Sequence, residues 1–257
     1  MTSNPASPSK VALVTGGSRG LGRSTVLALA ERGVDTVFTY RANNAEAEKV
    51  VASVDGVGRR AVALQLDTGD TASFAGFVQR LRPVLDDLGS GRFDYLVNNA
   101  GTSHHASIEE TTEDDFDALY RVHLKGVFFL TQSLLPLLND GGRIINLSSG
   151  LARFAFPGSA PYASMKGAVE VLTRYLAKEL GPRGITANVV APGAIATDFS
   201  GGMVRDNPEV NRQIAGVTAL GRVGQPDDIG PMIASLLSDA NGWVNAQRIE
   251  VSGGMQI

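Results

Sequence analysis

The chain contains no cysteine among its 257 residues. This absence excludes a disulfide scaffold, zinc–thiolate and iron–sulfur sites, and a cysteine nucleophile, and it fits a cytoplasmic protein. Histidine is also scarce, since only His104, His105 and His123 are present. Few residues could therefore ligate a transition metal, and we expect no metal site.

Long apolar runs and an excess of positive charge are missing as well. The longest segment without a polar residue, Val189 to Ala196, is far shorter than the ~20 residues of a membrane helix. A net charge of −3 provides no general attraction for nucleic acid. We therefore expect neither a membrane nor a nucleic acid as a partner. The opening MTSNPASPSK lacks the apolar core of a secretory signal, and residues 1–9 are predicted to be a flexible tail.

Apolar runs of strand length alternate with stretches of helical period along residues 10–257. Strands are predicted at residues 11–15, 34–40, 60–66, 93–97, 143–147, 185–190 and 247–251. Helices are predicted at residues 21–32, 45–54, 71–88, 112–139, 161–180 and 227–238. The strands are continuously apolar, which is typical of a parallel sheet buried on both faces. The pattern predicts a single α/β domain with a Rossmann-type doubly wound parallel sheet in three layers.

One segment interrupts this alternation. Residues 197–224 contain five glycines and no strand pattern. Long insertions in compact domains often cover a binding site. We therefore expect this segment to be a substrate lid.

The turn between the first predicted strand and helix is rich in glycine. It reads Thr-Gly-Gly-Ser-Arg-Gly-Leu-Gly over residues 15–22. Glycine lets the backbone approach a pyrophosphate closely, and the start of the helix supplies N–H groups and a positive dipole. The placement predicts a dinucleotide site, with an ordinary glycine-rich turn as the alternative.

The end of the second strand indicates which dinucleotide is bound. Proteins that bind NAD place an acidic residue there for the ribose hydroxyls, but this chain has Tyr40 and Arg41, and Arg19 lies in the glycine turn. Two guanidinium groups suit a 2′-phosphate, so NADP(H) is favoured over NAD(H). Either arginine could instead be solvated surface. Asp67, after the third strand, could contact adenine or could cap a helix.

Three further residues suggest reaction chemistry. Tyr162 and Lys166 are one helical turn apart, and Ser149 ends the fifth strand. A phenol of pKa about 10 exchanges protons poorly at neutral pH, and a nearby ammonium together with the positive charge of the oxidised nicotinamide is expected to lower that pKa. Ser149 could donate a hydrogen bond to the oxyanion that forms when a hydride attacks a ketone. The alternative is a buried tyrosine, a surface lysine and a turn serine.

Taken together, these residues resemble the short-chain dehydrogenase/reductase family from about residue 9 to 255. The glycine turn resembles its glycine motif, and Asn98-Asn99-Ala100-Gly101 resembles its NNAG motif. Ser149, Tyr162 and Lys166 match its catalytic residues in order and spacing. Pro192-Gly193, with Ile195 and Thr197, resembles the segment that holds the nicotinamide. The whole pattern is similar to NADPH-dependent ketoreductases of the 3-oxoacyl-carrier-protein reductase type.

This resemblance implies NADP(H)-dependent reduction of a ketone or 3-oxo group to a secondary alcohol, with Tyr162 as general acid/base. It implies that Lys166 also binds the nicotinamide ribose and that the substrate is a small carbonyl compound, free or carrier-linked. It also implies a homo-oligomer, dimer or tetramer, formed through the helices at residues 112–139 and 161–180. The implied cofactor contacts are Gly16, Ser18, Arg19, Gly20, Leu21, Gly22, Tyr40, Arg41, Asp67, Thr68, Asn99, Ala100, Gly101, Tyr162, Lys166, Pro192, Gly193, Ile195 and Thr197.

The chain departs from the family pattern at one catalytic position. The family has an asparagine where this chain has His123. His123 could serve the proton relay to Lys166, titrating near 6.5, or it could be a neutral structural substitute. His104 and His105 are adjacent on extended backbone and so point apart; one could line the pocket, or both could be loop surface.

The substrate depends on residues 150–160 and 197–224, which no motif specifies. Phe154, Phe156 and Met203 are candidate pocket walls, although apolar residues usually just pack. A carrier-linked substrate would need a basic surface near the cleft. The candidates for it are Arg153, Arg205, Arg212 and Arg222. Two other functions remain open: an NADP-linked polyol or sugar dehydrogenase, and a non-catalytic nucleotide-binding regulator on the same fold.

Overall fold

A computed structural model describes residues 9–89 and 91–257. The predicted tail therefore lies outside the described residues except for Ser9, whose hydroxyl accepts a hydrogen bond from Arg59. No helix within these two ranges is long and apolar enough to cross a bilayer.

Seven parallel strands form one sheet in the order β3-β2-β1-β4-β5-β6-β7. The strands are β1 Val11–Val14, β2 Asp35–Tyr40, β3 Ala61–Gln65, β4 Phe93–Asn98, β5 Leu138–Leu147, β6 Thr186–Pro192 and β7 Arg248–Val251. The order reverses between β1 and β4, where Val14 lies beside Val97 on one side and Phe38 on the other. Ligands of open α/β sheets bind at such a switch point, outside the carboxyl ends of the strands.

Helices cover both faces of the sheet. They are α1 Gly20–Glu31, α2 Asn44–Asp55, α3 Phe74–Leu88, α4 Glu113–Tyr120, α5 Gly126–Leu134, α6 Ala160–Leu180, α7 Met203–Asp206, α8 Pro208–Gly216 and α9 Pro226–Leu236. A π-helical turn, Arg121–Lys125, joins α4 to α5.

Strand β1 shows why the strands are apolar on both faces. Ala12 and Val14 pack in the core formed with α1, α2 and α9. Val11 and Leu13 pack in the second core, with α3, α5 and α6. All four residues are fully buried, and full burial of such a side chain contributes about 1.5–3 kcal/mol. The predicted three-layer, doubly wound single domain is confirmed.

The predicted helix at residues 112–139 is too long. The π-helical turn interrupts it, α5 ends at Leu134, and β5 begins at Leu138, five residues before the predicted strand at 143. The apolar run continues through the turn, since Leu134, Leu137 and Leu138 are all buried. An apolar run of this kind does not distinguish helix from strand.

Candidate active site

The glycine turn follows β1 and adopts a conformation that only glycine fits. Gly16 and Gly20 have φ values of +67° and +54°. A Cβ atom on Gly17 would lie 2.6 Å from the Cβ of Phe38, and one on Gly22 would lie 2.2 Å from the carbonyl oxygen of Gly16. The turn and α1 are therefore packed too closely to accept a side chain at these positions.

The start of α1 is suited to an anion. Its N-cap residue, Arg19, makes no capping hydrogen bond through its side chain, and the first turn contains no acidic residue. The first N–H groups of the helix and its dipole are thus available to a phosphate. Arg19 and Arg41 are both exposed, and neither guanidinium has a hydrogen bond or ion pair within the described part of the chain. These groups fit the 2′-phosphate and pyrophosphate of NADP(H).

The loop after β4 is fastened to the glycine turn. The Asn99 side chain donates hydrogen bonds to the carbonyls of Thr15, at 2.8 Å, and Gly16, at 3.1 Å. In return, the Thr15 hydroxyl accepts from the backbone N–H groups of Asn99 and Ala100, both at 3.0 Å. Asn99 therefore ties the loop after β4 to the turn after β1.

A buried chain of hydrogen-bonded polar side chains, here called the polar ladder, lies next to this region. Asn98 donates to Asn146 at 2.8 Å and to Thr131 at 3.1 Å, and Asn146 donates to Thr173 at 2.9 Å. The ladder joins β4 and β5 to α5 and α6. The sequence analysis missed it, because its partners are far apart in the chain.

Asp67 and Thr68 lie after β3, at the same edge of the sheet. Asp67 is exposed, and its carboxylate accepts the N–H of Gly69 at 2.8 Å. The carboxylate therefore stabilises its own turn. Contact with adenine stays a prediction.

The structure brings Ser149, Tyr162 and Lys166 together. Ser149 lies just beyond β5, where its hydroxyl accepts the N–H of Leu151 at 3.2 Å and is near enough to the Tyr162 phenol to lower its pKa. Tyr162 and Lys166 lie one turn apart near the start of α6, with the Lys166 Nζ 5.4 Å from the centre of the phenol ring. The Lys166 ammonium donates to the Leu147 carbonyl at 2.8 Å. The three residues thus form one cluster at the carboxyl ends of the strands.

Burial dominates the electrostatics of this cluster. It lowers the pKa of Lys166 to about 7. It raises the pKa of Tyr162 above its ordinary value, and the hydrogen bond with Ser149 opposes this only in part. The expectation that Lys166 lowers the phenol pKa is wrong for the protein's own groups. A lysine with a pKa near 7 is only partly charged at neutral pH, so it offsets little of the burial effect.

His123 lies in the π-helical turn, against the same cluster. Its ring is 1% exposed and meets the Tyr162 ring edge-on, with centroids 5.2 Å apart. The Nε2 atom lies 2.7 Å from the Thr102 carbonyl oxygen and 3.2 Å from the Thr102 N–H. The shorter contact places the proton on Nε2, and Nδ1 has no partner within the described residues.

The predicted titration of His123 near 6.5 is wrong. Burial, and then the charge of Lys166, lower its pKa to about 3. The imidazole is therefore neutral at physiological pH. Gly101 leaves space for it, because a Cβ atom there would lie 2.8 Å from the His123 Cε1.

The other two histidines have contacts of their own. The Nδ1 of His104 is 3.6 Å from Asp115, while His105 is exposed and packs against Gly158. Within the described residues, no group of three His, Asp or Glu side chains is placed to hold a metal ion.

Residues 197–224, which contain α7 and α8, form a segment that is closed at its base. The Gly224 N–H donates to the Ala194 carbonyl and the Ala196 N–H donates to the Gly224 carbonyl. At its start, the Thr197 side chain lies 3.6 Å from where a Cβ atom on Gly20 would be. Phe199 then places its ring 6.0 Å from that of Tyr162. The sequence analysis missed Phe199, although an aromatic residue two positions after Thr197 was a usable signal.

The candidate pocket walls differ in exposure. Phe156 is 57% exposed and Met203 is 47% exposed, whereas Phe154 packs against Gly150 and the guanidinium of Arg153. The arginines considered for a carrier are all paired with carboxylates. These pairs are Arg153–Glu250, Arg205–Asp198, Arg205–Asp206, Arg212–Glu209 and Arg222–Asp228.

Sequence comparison places the chain among known oxidoreductases. Residues 16–256 match the family model described as enoyl-(acyl carrier protein) reductase. An oxidoreductase of Methylorubrum extorquens, itself uncharacterized, is 38% identical over 96% of this chain and 98% of that protein. Versicolorin reductase 1 of Dothistroma septosporum is 35% identical, over 95% of each chain.

Solved structures agree with the sequence comparison. The short-chain dehydrogenase/reductase of Serratia marcescens is 36% identical, with a TM-score of 0.89 over 96% of this chain and 98% of that one. The reductase LugOII, described as catalysing keto-reduction at C1 in lugdunomycin biosynthesis, is 38% identical, with a TM-score of 0.91 and the same coverage. The landomycin C-6 ketoreductase LanV, with bound NADP and rabelomycin, is 34% identical, with a TM-score of 0.87 over 96% of each chain. The sequence, the fold and these relatives agree, and the chain belongs to the short-chain dehydrogenase/reductase family.

Proposed function

We propose that this protein reduces a ketone to a secondary alcohol with NADP(H), and that Tyr162 supplies the proton. The observation that carries the proposal is the cluster of Ser149, Tyr162 and Lys166 beside the glycine turn. The relatives confirm the prediction of an NADP(H)-linked carbonyl reductase, since one is a ketoreductase solved with NADP and another performs a keto-reduction.

The cofactor site uses groups that the fold leaves available. The glycine turn and the first N–H groups of α1 would hold the pyrophosphate, while Arg19 and Arg41 would hold the 2′-phosphate. Lys166 would contact the nicotinamide ribose, and Asn99 fixes the turn. When bound, NADPH supplies the hydride that reduces the carbonyl carbon.

The protein's own residues manage the proton. The Ser149 hydroxyl donates a hydrogen bond to the substrate oxygen, and the Tyr162 phenol donates its proton to that oxygen. Because burial raises the phenol pKa, Tyr162 carries its proton at neutral pH. Lys166, with a pKa of about 7, can return a proton to the tyrosine.

The relatives favour reduction over the oxidative alternative, because LugOII is described as catalysing a keto-reduction and LanV as a ketoreductase with bound NADP. The same side chains would serve a polyol or sugar dehydrogenase, in which Tyr162 accepts the proton that it donates in reduction. A non-catalytic regulator would not need three converging side chains. Reduction is therefore the function that the site and the relatives together support best.

His123 serves this site as a neutral acceptor. Its Nε2 is held by Thr102, and its bare Nδ1 lies among buried groups beside Tyr162. It supports the relay to Lys166 by accepting a hydrogen bond at Nδ1, without itself taking the proton, so the pH–rate profile of His123→Asn should keep its midpoints while kcat falls. Equal turnover with superimposable profiles would remove the relay role.

The substrate is an apolar ketone of small-molecule size. Phe199 covers the Tyr162 ring, and the exposed Phe156 and Met203 offer further apolar surface. The four arginines considered for a carrier are each paired with a carboxylate, which speaks against their use as a docking face for an acidic carrier. Residues 197–224 act as the lid, because they start at the glycine turn and reach the catalytic tyrosine.

The protein forms a homo-oligomer, a dimer or tetramer, in the cytoplasm. The helices expected at the interface carry exposed aromatic side chains, which is unusual for a free surface. They are Phe116, Tyr120, Phe128, Phe129 and Tyr175. The absence of cysteine favours the cytoplasmic location.

NADPH oxidation against a panel of carbonyl compounds tests the proposed function. The panel should hold β-keto thioesters, sugars and bulky aromatic ketones, each with NADPH and with NADH. We expect turnover of a bulky ketone with NADPH and weak turnover with NADH. NADPH binding without turnover of any member would instead favour the regulator.

A further inference from the structure

Arg248 on β7 is a partly buried arginine that the mechanism above does not use. Its three side-chain nitrogens contact three different residues. Nε donates to Glu170 on α6 at 2.7 Å, and Nη1 donates to Glu250 on β7 at 2.9 Å. Nη2 donates to the main-chain carbonyl of Ser149 at 3.2 Å. One guanidinium therefore joins the strand end carrying Ser149 to the helix carrying Tyr162.

The contact to Glu170 reaches the catalytic face of α6. Tyr162, Lys166 and Glu170 follow at intervals of four residues, so they share one side of the helix. Glu170 also accepts a hydrogen bond from the Ser148 hydroxyl at 2.7 Å. Glu170 thus holds both Arg248 and the residue preceding Ser149.

The contact to Glu250 reaches the other side of Ser149. Both carboxylate oxygens of Glu250 accept from Arg153, at 2.7 Å each. Arg153 also donates to the carbonyls of Met255 and Gln256 near the C-terminus. The chain after Ser149 is therefore fixed to the C-terminal segment, and the chain before it is fixed to α6.

We propose that Arg248 is a positioning residue that sets the distance between Ser149 and Tyr162. The inference rests on the proposed function, because it requires Ser149 to contact the substrate. Arginine suits this role, since its planar fork serves three acceptors at once and a lysine serves only one or two. Displacement of a catalytic group by about 1 Å can cost about 100-fold in rate, so loss of the fork should affect turnover.

The test compares Arg248→Met and Arg248→Lys with a matched control. Arg143→Met removes a more deeply buried arginine from within β5, the strand that precedes Ser149, where it bonds Ser238 and Asp239. We expect kcat to fall about 10- to 100-fold in Arg248→Met, with Arg248→Lys intermediate and the NADPH Kd unchanged. Arg143→Met should lose stability yet keep kcat. If kcat falls in proportion to the loss of melting temperature in all three variants, including Arg143→Met, the inference is overturned.

A double-mutant cycle separates this inference from the proposed function. If Arg248 acts through Ser149, Arg248→Lys should lower kcat in the wild-type background and change it little in Ser149→Ala. Equal losses in both backgrounds would overturn the positioning role and leave the function of Ser149 intact. If Ser149→Ala alone keeps full kcat, the assignment of Ser149 itself fails, and the inference fails with it.

Discussion

Selectivity for NADPH should depend on Arg19 and Arg41. Neither guanidinium has a protein partner within the described residues, so removing them should not destabilise the fold. A hydrogen bond to a charged group contributes about 1.5–3 kcal/mol, and each 1.4 kcal/mol is tenfold in Kd. Both side chains are exposed and screened by salt, so the lower end applies. We expect Arg41→Ala to raise the NADPH Kd roughly tenfold, and the double alanine variant roughly 100-fold.

The assay is titration of NADPH fluorescence with each variant, repeated with NADH. NADH lacks the 2′-phosphate, so its Kd should stay within about twofold of wild type in every variant. The effect on NADPH should shrink at high salt, because the pair is exposed. An equal loss for both cofactors, or no loss for either, would refute the phosphate-binding role of these arginines.

Two further predictions follow from the buried groups around Tyr162. Burial lowers the pKa of Lys166 in the folded protein from 10.5 to about 7. Between pH 7 and pH 10.5 the unfolded chain therefore binds more protons than the folded one. The free energy of unfolding of the wild type should then rise from pH 7 to pH 9.5 by roughly 3 kcal/mol relative to that of Lys166→Met. Urea denaturation at both pH values measures this, and parallel curves for the two proteins would contradict the buried state of the lysine. Gly101→Ala places a Cβ atom 2.8 Å from the His123 ring, so kcat should fall severalfold while NADPH binding persists, and unchanged kinetics would show that the position of His123 is unimportant.

Most of the sheet could be predicted from the sequence because its signals are local. The continuous apolar run of β1 predicts burial on both faces of the sheet. In the structure, Ala12 and Val14 pack in one core and Val11 and Leu13 pack in the other. Likewise, the four-residue spacing of Tyr162 and Lys166 places them on one side of a helix wherever that helix packs. The order of β–α units then brings the strand ends to one edge.

The features that were missed depend on contacts between distant parts of the chain. The pKa of His123 is set by burial and by Lys166, which lies on another helix. Arg248 is 78 residues from Glu170 and 99 from Ser149, so no local pattern links them. The π-helical turn at Arg121–Lys125 lies inside a continuous helical pattern and changes only the hydrogen-bond spacing.

Proton donation from Tyr162 to the substrate oxygen is the step on which the proposed function depends, and single-turnover reduction by Tyr162→Phe measures it. With NADPH bound and a ketone that the wild type reduces, we expect a single-turnover rate at least about 100-fold lower than wild type, the usual contribution of general acid–base catalysis. The NADPH Kd should stay close to that of wild type. A near-normal rate in Tyr162→Phe would show that Tyr162 is not the proton donor.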